Sequence, residues 1–330
     1  MEIVKFGGSS MATPTTINLC RDIVINNPEQ QVIVVSAPGM YGNYQTKITD
    51  DLIRYTKGAP VLNSILTRFN ELAQELLSQA QYQTYQETLS QTRKAIIKSP
   101  NDYAFIVSRG EYLSAKLFAL YLNYHFIDAK DILVINPDAT IDLVATKKKI
   151  KSHQLKNKIP FVIGGFYGQR DGKTALFTRG GSDYTGAILA VLMNANIYKN
   201  YTDTNGIQTA NPRVVANTQT IQCLDFNSLD ILTHNGAGII HENVAKLLEA
   251  YRIPLRVDNT FDPHHTYTEV HSLRCRHCQH NFFCITNKNN RILVVKKKHG
   301  TPVTVQFFES SPNSIVSDMQ TLHQIMLQNL

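Results

Sequence analysis

Lysine, glycine and serine residues near the start of the chain form the pattern with the clearest chemistry. Lys5 stands near the end of a short apolar run, Gly7, Gly8 and Ser9 follow, and a helical pattern begins near Thr13. Two adjacent glycines allow the backbone to turn sharply and to present bare N–H groups to a ligand. Amides that converge near a helix N-terminus attract anions, and a lysine adds a full positive charge. The pattern predicts a polyphosphate site, with a plain strand-to-helix turn as the alternative.

A second glycine-rich turn lies in the middle of the chain and again precedes an apolar helix. Arg179 is followed by Gly180 and Gly181, and then by Ser182 and Asp183, either of which can cap the helix. The arginine offers a planar pair of donors that suits a carboxylate or a phosphate. A purely structural ion pair between Arg179 and Asp183 is the alternative, but the two glycines between them favour a ligand.

Strand and helix patterns alternate around these two turns. Apolar runs predict strands at 2–6, 31–36, 132–135, 160–164, 197–202 and 254–257. Helical periodicity predicts helices at 13–26, 49–57, across 61–98 as a pair, and at 109–122, 182–194, 225–235 and 243–252. Strands separated by helices indicate an α/β fold with a mainly parallel central sheet and helices on both faces. Ligands of such sheets bind beyond the carboxyl ends of the strands, where both glycine-rich turns are expected.

The composition changes after Phe261, which places a domain boundary near residue 262. His, Cys, Asn and Lys become frequent there, and helical periodicity lapses until about Ile315. We therefore predict a larger domain over 1–262 and a small α+β module over 263–330. The predicted elements of the module are strands at 282–285, 291–295 and 303–308 and a helix at 316–327.

The overall composition excludes several classes of protein. The 43% apolar and 18% charged residues are those of a globular protein, and no apolar run reaches the roughly 20 residues that a membrane span needs. The chain enters its first strand without a charged-then-apolar leader, so we expect a cytoplasmic location. The net charge of +7 comes with lysine clusters at 147–151 and 296–298, which have no interleaved aromatic residues. A solvated helix face and a strand end explain them better than nucleic-acid binding.

Cysteine and histidine residues cluster in the C-terminal module. Cys275 and Cys278 stand three apart, Cys284 follows, and His271, His277 and His280 are interspersed. Such a set could close a tetrahedral zinc site. A second Cys/His pair at longer spacing is missing, however, and free, partly buried thiols are the alternative reading. We assign no metal here.

Several motifs resemble, in order and spacing, those of the aspartokinases, which share the amino-acid kinase fold. The resemblance covers about 1–262. It rests on Lys5-Phe6-Gly7-Gly8-Ser9, Val34-Val35-Ser36-Ala37, Ser108-Arg109-Gly110-Glu111-Tyr112-Leu113-Ser114-Ala115, Arg179-Gly180-Gly181-Ser182-Asp183, Tyr201-Thr202-Asp203-Thr204-Asn205-Gly206 and Pro212-Arg213.

The resemblance implies a role for each matched position. Catalysis would involve Lys5, which neutralises the transferring phosphoryl group, and Asp183, which holds Lys5. The phosphates would meet the amides of Gly7, Gly8 and Ser9. The substrate-binding residues would be Thr49, Glu111 for the ammonium group, Arg179 for a carboxylate, and Ser182. The nucleotide-binding residues would be Tyr201 against the base or ribose, Thr202, Asp203 and Arg213.

The activity that the resemblance implies is phosphorylation of the L-aspartate side chain by ATP with Mg²⁺. This reaction begins the synthesis of the aspartate-derived amino acids lysine, threonine and methionine. The partners implied are the two small substrates, with neither nucleic acid nor membrane, and the resemblance allows a homodimer.

Two departures from the family pattern keep alternatives open. Gly238 stands where the family has a lysine that contacts ATP phosphates, and the loss of that charge should weaken ATP binding or slow transfer by about 1–3 kcal/mol. The region after the kinase domain holds at most one truncated ACT-like module, so feedback inhibition through the usual paired modules is not expected. The alternatives are a catalytically weak or silent relative that acts as a ligand-binding or regulatory protein, and a kinase for a different amino-acid carboxylate.

Overall fold

The computed structural model describes residues 1–177, 180–237, 240–262, 266–272, 281–289, 291–298 and 301–328. The chain forms two compact units, Met1–Asp203 and Thr204–Leu330. The predicted boundary near residue 262 stays a prediction.

The first unit alternates strands and helices. Its strands are β1 Glu2–Phe6, β2 Gln30–Val35, β3 His125–Ile127, β4 Phe161–Gly164, β5 Tyr167–Arg170, β6 Lys173–Leu176 and β7 Ile197–Thr202. Its helices are α1 Pro14–Ile25, α2 Ile48–Thr56, α3 Leu62–Leu76, α4 Gln79–Lys98, α5 Tyr103–Leu122, α6 Ala129–Ile132, α7 Leu143–Ser152 and α8 Gly181–Leu192.

The central strands of this unit lie in the order β3-β4-β2-β1-β7. Every neighbouring pair among them is parallel, and β5 and β6 form a separate antiparallel hairpin. Because parallel strands end at the same edge, the turns that follow Phe6, Val35, Gly164 and Thr202 share that edge. The mainly parallel sheet predicted from the sequence is confirmed.

Helices cover both faces of this sheet, as predicted. Val4 and Phe6 point to one face, where they join a buried cluster with Ile17 of α1 and Phe118 of α5. Lys5 points to the other face and meets α8 through Asp183. The alternation of side chains along β1 therefore buries apolar groups against one helix layer and delivers a lysine to the other.

The second unit contains strands β8 Cys223–Asp225, β9 Leu255–Asn259, β10 Thr268–His271, β11 Phe282–Lys288, β12 Arg291–Lys297 and β13 Thr304–Glu309. Its helices are α9 Phe226–Leu232, α10 Glu242–Ala250 and α11 Ile315–Gln328, with a π-helical turn at Thr233–Ala237. Strand β10 pairs antiparallel with β9 and parallel with β8. Strands β11, β12 and β13 form an antiparallel sheet whose apolar side packs on α11 through Met319. The strands and helix predicted for the C-terminal module are thus present.

One predicted strand is wrong. Residues 132–135 end helix α6 and then make only isolated bridges. The backbone N–H of Val134 donates to the Thr146 hydroxyl at 3.0 Å, and that of Ile135 donates to the Gln169 carbonyl at 2.8 Å. Strand β3 occupies the position next to β4 at the edge of the sheet instead. It is only three residues long, and no apolar run in the sequence predicts it.

Candidate active site

Lys5 and Asp183 form an ion pair at the carboxyl edge of the parallel sheet. Lys5 Nζ lies 2.7 Å from Asp183 Oδ1, and the two side chains are 10% and 18% exposed. Asp183 stands in the first turn of α8, where a carboxylate is favoured by the helix dipole. The Asn200 side chain donates to Asp183 Oδ1 at 3.3 Å, and the Tyr198 hydroxyl donates to the Asp183 carbonyl at 3.1 Å. The carboxylate is therefore held in place to orient the lysine.

The Gly7-Gly8 turn borders this lysine. A methyl group on Gly7 would lie 3.5 Å from Lys5 Nζ. The turn is pinned from the neighbouring loop, because the Gly39 N–H donates to the Gly8 carbonyl at 2.8 Å. A methyl group on Gly39 would lie 2.9 Å from the Gly8 carbonyl carbon, so this close approach requires glycine. Ser9 follows at the exposed surface. The Gly7 N–H donates to the Tyr201 carbonyl at 3.3 Å, so among the described residues the amides left for a phosphate beside Lys5 are those of Gly8 and Ser9.

The half-buried Thr49 and the buried Glu111 form a second group in the same unit. The Thr49 hydroxyl donates to Glu111 Oε1 at 3.4 Å, which brings α2 to α5. Glu111 is only 4% exposed, although it is a carboxylate in the middle of a helix. Its other oxygen, Oε2, is buried and has no hydrogen-bond partner among the described residues. A buried carboxylate oxygen without a donor is an energetic cost that a cationic ligand would relieve.

Burial raises the pKa of Glu111 to about 7. Backbone hydrogen bonds at Glu111 and Ala37, the Thr49 hydroxyl and the positive charge of Arg109 oppose this rise but do not cancel it. Desolvation is the largest cause because the charged form loses water that these donors replace only in part. The group therefore titrates in the neutral range, and a bound ammonium group would hold it ionised.

Close backbone contacts join the two groups into one site. A methyl group on Gly8 would lie 3.0 Å from the Ala37 carbonyl oxygen, and one on Gly110 would lie 2.9 Å from Ala37 Cβ. On the other side, a methyl group on Gly165 would lie 2.5 Å from the Ser182 Cα. Ala37 therefore links the turn at Gly7 and Gly8, which we call the phosphate turn, to helix α5 with Glu111. Gly165, directly after strand β4, lies against Ser182.

The turn before α8 is shaped for a close approach. Gly180 has a φ of +73°, a conformation that glycine adopts at little cost. Gly181 lies against Phe166, where a methyl group would come within 2.8 Å of the Phe166 Cα. Ser182 and Asp183 follow as the first polar side chains of the helix. Arg179, which the sequence assigns to a substrate carboxylate, lies outside the described residues.

The buried position of Tyr201 corrects one sequence-based expectation. Its ring is 4% exposed and stacks on Phe6 with the ring centroids 5.1 Å apart. The Gln30 side-chain amide donates to its hydroxyl at 3.3 Å. A ring buried in this core does not fit the predicted contact with a base or ribose. The Tyr201 carbonyl, which accepts from the Gly7 N–H at 3.3 Å, instead supports the phosphate turn.

The other predicted nucleotide residues lie in both units. Thr202 is half-buried and Asp203 is exposed, and both stand where β7 ends at the carboxyl edge. Arg213 belongs to the second unit and is exposed; its backbone N–H donates to the Asn211 side chain at 3.0 Å. The nearby Val215 is buried in the apolar cluster of the C-terminal sheet. Gly238 lies outside the described residues.

The cysteine and histidine cluster is only partly described. His271 contacts Glu269 with 3.1 Å between Nε2 and Oε2, and Cys284 is buried and free. Burial raises the pKa of the Cys284 thiol to about 12, so the thiol is protonated at neutral pH. The other cluster members lie outside the described residues, and the described ones contain no group of three or more His, Cys, Asp or Glu side chains that could hold a metal. Cys223 is disulfide-bonded.

The first of the two lysine clusters lies on an exposed face of helix α7. Lys147, Lys148 and Lys151 are exposed on α7, and Lys297 contacts the buried Asp225. Among the helices of the described ranges, none combines the length and the apolar character that crossing a membrane requires.

Two contributors to the site escaped the sequence interpretation. Asn200 orients Asp183, and no pattern in β7 singled it out, because the neighbouring Lys199 is polar as well. Gly39 pins the phosphate turn, and its signal was a glycine directly after a proline at the end of β2. An asparagine or a glycine does not by itself indicate its hydrogen-bond partner, and both partners here lie far away in the sequence.

Comparisons with known proteins agree with this geometry. The Amino acid kinase family matches residues 1–259. Aspartokinase 3 of Bacillus subtilis is 32% identical over an alignment of 294 positions that covers 83% of this chain and 64% of that protein. The aspartokinase of Chlamydia pneumoniae is 29% identical over an alignment of 288 positions that covers 82% of this chain and 63% of that one. The chain thus spans somewhat less than two thirds of the length of these relatives.

Solved structures give the same fold. The aspartate kinase of Clostridium acetobutylicum is 31% identical, with a TM-score of 0.72 over 83% of this chain and 62% of that chain. E. coli aspartokinase III, solved in complex with aspartate and ADP, is 24% identical, with a TM-score of 0.76 over 88% of this chain and 68% of that chain. The predicted fold is confirmed, and the antiparallel C-terminal sheet with its helix is consistent with an ACT-like element. By the family match over residues 1–259 and this shared architecture, the chain belongs to the amino acid kinase family.

Proposed function

We propose that this chain is an ATP-dependent aspartate kinase. The observation that carries the proposal is the ion pair between Lys5 and Asp183, 2.7 Å long, beside the Gly7-Gly8 turn. The buried Glu111 carboxylate, in the same unit, offers an unpartnered oxygen to an ammonium group. A phosphate site next to an ammonium site suits phosphoryl transfer to an amino acid.

The transfer needs little covalent chemistry from the protein. The side-chain carboxylate of aspartate has a pKa of about 3.9 and is already ionised at neutral pH, so no general base is required. One of its oxygens forms the new bond to the γ-phosphorus while the bond from that phosphorus to the bridging oxygen breaks. The products are 4-phospho-L-aspartate and ADP, and Lys5 neutralises the charge that builds up between them.

The acceptor would be held by three kinds of contact. Its ammonium group would meet the ionised Glu111, with Thr49 orienting that carboxylate. Its α-carboxylate would meet Arg179, whose planar fork matches a carboxylate. Ser182 would contribute at the N-terminus of α8. These contacts place the side-chain carboxylate at the phosphate turn, and positioning of this kind supplies most of the catalysis.

The nucleotide would lie beyond the end of β7. Thr202 and Asp203 stand there, and the family resemblance also implies a nucleotide contact from Arg213. The E. coli relative was solved with ADP, which supports ATP as the donor. Magnesium, when bound, would neutralise phosphate charge. A cation that keeps phosphate oxygens and water as most of its ligands needs few protein carboxylates, and the described residues fit that need because Asp183 and Asp203 stand at this edge.

The biological setting follows from the same proposal. Acyl phosphorylation of aspartate would open the synthesis of lysine, threonine and methionine. The cytoplasm is the location, and a homodimer the assembly, that we expect for such an enzyme.

Gly238 favours a second candidate function, a weakly active or silent relative that binds ligands and acts through a partner. Glycine at this position removes a charge from the ATP phosphates. Retention of Lys5, Glu111, Arg179 and Asp183 favours activity, since a silent copy has no use for the whole set. The loop at 38–47 is longer than the turn that the family usually has there and lies close to the acceptor residues, which favours a third candidate, the same transfer to a different amino-acid carboxylate.

A hydroxamate assay distinguishes these candidates. The purified protein is incubated with MgATP and hydroxylamine, and aspartate is compared with glutamate and close analogues. Acyl hydroxamate from aspartate alone would support the first candidate, and a signal from another carboxylate would support the third. If no carboxylate gives hydroxamate while ATP or aspartate still raises the melting temperature, the protein is a binding relative rather than a kinase.

A further inference from the structure

One buried arginine anchors the loop between β2 and α2. We refer to residues 38–47 as the acceptor loop. Arg68 of α3 is 2% exposed, and its two terminal nitrogens donate to loop carbonyls, Nη2 to Gly39 and Nη1 to Thr46 at 3.4 Å. Since Gly39 and Thr46 lie near opposite ends of the loop, a single guanidinium closes it.

Aromatic contacts complete this anchor. The Arg68 guanidinium lies over the Tyr44 ring, 4.7 Å from its centroid. The Tyr44 hydroxyl donates to Glu71 Oε2 at 2.6 Å, one turn further along α3. The tip of the loop is a tight turn in which the backbones of Tyr41 and Tyr44 exchange hydrogen bonds of 2.9 and 2.8 Å. The acceptor loop is thus ordered by side chains of α3 as well as by its own backbone.

The two ends of the loop reach the two halves of the active site. At one end the Gly39 N–H donates to Gly8 of the phosphate turn at 2.8 Å. At the other end the Thr46 hydroxyl donates to Asp51 Oδ2 at 2.7 Å, which ties the loop to helix α2. That helix carries Thr49, the partner of Glu111. Arg68 therefore connects the phosphate turn to the acceptor residues through the loop.

Burial of the Arg68 guanidinium replaces its surrounding water with two carbonyls and a ring, which costs free energy. The site therefore accepts few residue types. Burial lowers the pKa of Arg68, and the nearby Tyr44, Asp51 and Glu71 oppose this change. The Nε of Arg68 is buried and lacks a hydrogen-bond partner within the described ranges. Lysine could not replace the arginine, because its ammonium is a compact charge without a rigid fork that reaches two separated carbonyls.

We propose that Arg68 is a positioning residue that fixes the distance between the phosphate turn and the acceptor site, and thereby sets which carboxylate is phosphorylated. Aspartate and glutamate differ by one methylene group between the ammonium and the reacting carboxylate. A loop held at both ends gives that distance one value, and a loop released at one end tolerates the longer acceptor. This inference rests on the proposed kinase function for its kinetic consequence.

The kinetic test compares wild type with Arg68→Lys and Arg68→Met. We expect the KM for aspartate to rise about tenfold or more and kcat to change less than about threefold, because the loop positions the acceptor and does not touch the transferring group. The preference for aspartate over glutamate in kcat/KM should fall by about tenfold, while the Kd for MgATP stays unchanged. Arg93→Met, the same change at an exposed arginine of α4, is the matched control and should behave as wild type.

A second measurement does not depend on activity. Tyr41 at the loop tip is 61% exposed, so chymotrypsin cleavage after it reports the mobility of the loop. Cleavage of the ligand-free protein should be faster in Arg68→Lys and in Tyr44→Leu than in Tyr44→Phe, which keeps the ring. Unchanged cleavage in Arg68→Lys, or an unchanged aspartate KM and acceptor preference, overturns the proposal. If wild type phosphorylates no carboxylate, the kinase function fails, and the cleavage rates still decide whether Arg68 holds the loop.

Discussion

The Asn200 side chain and the Lys5 ammonium meet the same oxygen of Asp183, at 3.3 Å and 2.7 Å. Lys5 and Asn200 are also register partners on the adjacent strands β1 and β7. The first turn of α8 is therefore attached to both central strands through one carboxylate oxygen. This arrangement fixes the lysine at the carboxyl edge of the sheet, where a phosphoryl group would be transferred.

Substitution of either member of the ion pair should abolish turnover without unfolding the protein. Lys5→Ala removes the charge on the transferring group and Asp183→Ala releases the lysine, so we expect kcat to fall by about 10³-fold or more in each. Hydroxamate formation and circular dichroism measure the two outcomes. Lys199→Met, which removes another lysine of the sheet that pairs with Glu2 at 2.6 Å, is the control. Wild-type rates in Lys5→Ala would contradict the mechanism.

The buried Glu111 should give acceptor binding a pH dependence. Its pKa of about 7 means that the carboxylate is half ionised near that pH and becomes fully ionised only well above it. We expect the KM for aspartate to fall as the pH rises from about 6 to about 8, because the ammonium group binds the ionised form. Glu111→Gln should raise the KM and remove this dependence, whereas Glu87→Gln on the exposed face of α4 should not. A pH-independent KM in wild type would argue against the ammonium role.

The same group should affect the stability of the ligand-free protein in the opposite direction. Its folded pKa of about 7 exceeds the usual value of about 4.3, so the folded state favours the protonated form. The stabilising contribution is complete below about pH 4.3 and is lost as the pH rises through 7. Glu111→Gln should therefore raise the melting temperature more at about pH 8 than at about pH 5. Thermal melts at the two pH values measure this, and an equal effect at both would contradict the shift.

Substitution at Gly39 should weaken nucleotide binding. A methyl group on Gly39 would lie 2.9 Å from the Gly8 carbonyl carbon, so Gly39→Ala must displace the phosphate turn. Overpacking of this kind costs about 1–3 kcal/mol, and we expect the Kd for MgATP to rise about tenfold or more. Calorimetric titration measures the Kd. Gly172→Asn, at an open hairpin position whose φ of +74° lies close to the left-handed region that asparagine adopts, is the control and should bind as wild type.

A lysine introduced at position 238 should strengthen nucleotide binding. The family resemblance places an ATP-contacting lysine there, and a charge-assisted contact to phosphate is worth about 1–3 kcal/mol, or about 5- to 150-fold in Kd. Gly238→Lys should therefore lower the Kd for MgATP and raise the rate. Ser152→Lys at the exposed end of α7 adds the same charge elsewhere and controls for net charge. No gain in affinity would mean that another group already serves the phosphates.

Tyr201 should matter for stability and not for nucleotide recognition. Its buried ring stacks on Phe6, so Tyr201→Phe keeps this stacking and loses the hydrogen bond from Gln30, which costs about 1 kcal/mol of unfolding free energy. The Kd for MgATP should remain that of wild type. Tyr201→Ala should cost about 3–5 kcal/mol, because it leaves a cavity in the core. A large change in Kd for the phenylalanine variant, measured by titration, would restore the predicted contact with base or ribose.

The sequence was sufficient for the features that depend on neighbouring residues. The apolar runs of β1, β2 and β7 and the periodicity of α5 and α8 were enough to predict a parallel α/β sheet, because side chains repeat every two residues in strands and every three to four in helices. Adjacent glycines after Lys5 and before Asp183 marked the two turns. The strand predicted at 132–135 is wrong, because the apolar residues there form isolated bridges to Gln169 and Ile141 and not a continuous strand.

Only the tertiary structure decided which of these residues act together. It joined Lys5 to Asp183, it set Thr49 against Glu111, and it buried the Tyr201 ring. It also placed Arg68, which belongs to no motif, in contact with the loop beside the acceptor residues. Local sequence specifies backbone conformation, whereas burial and pairing depend on which elements the packed core brings within a few ångströms. The chemistry of a buried carboxylate or guanidinium is set by those neighbours, so it emerges only when the chain is folded.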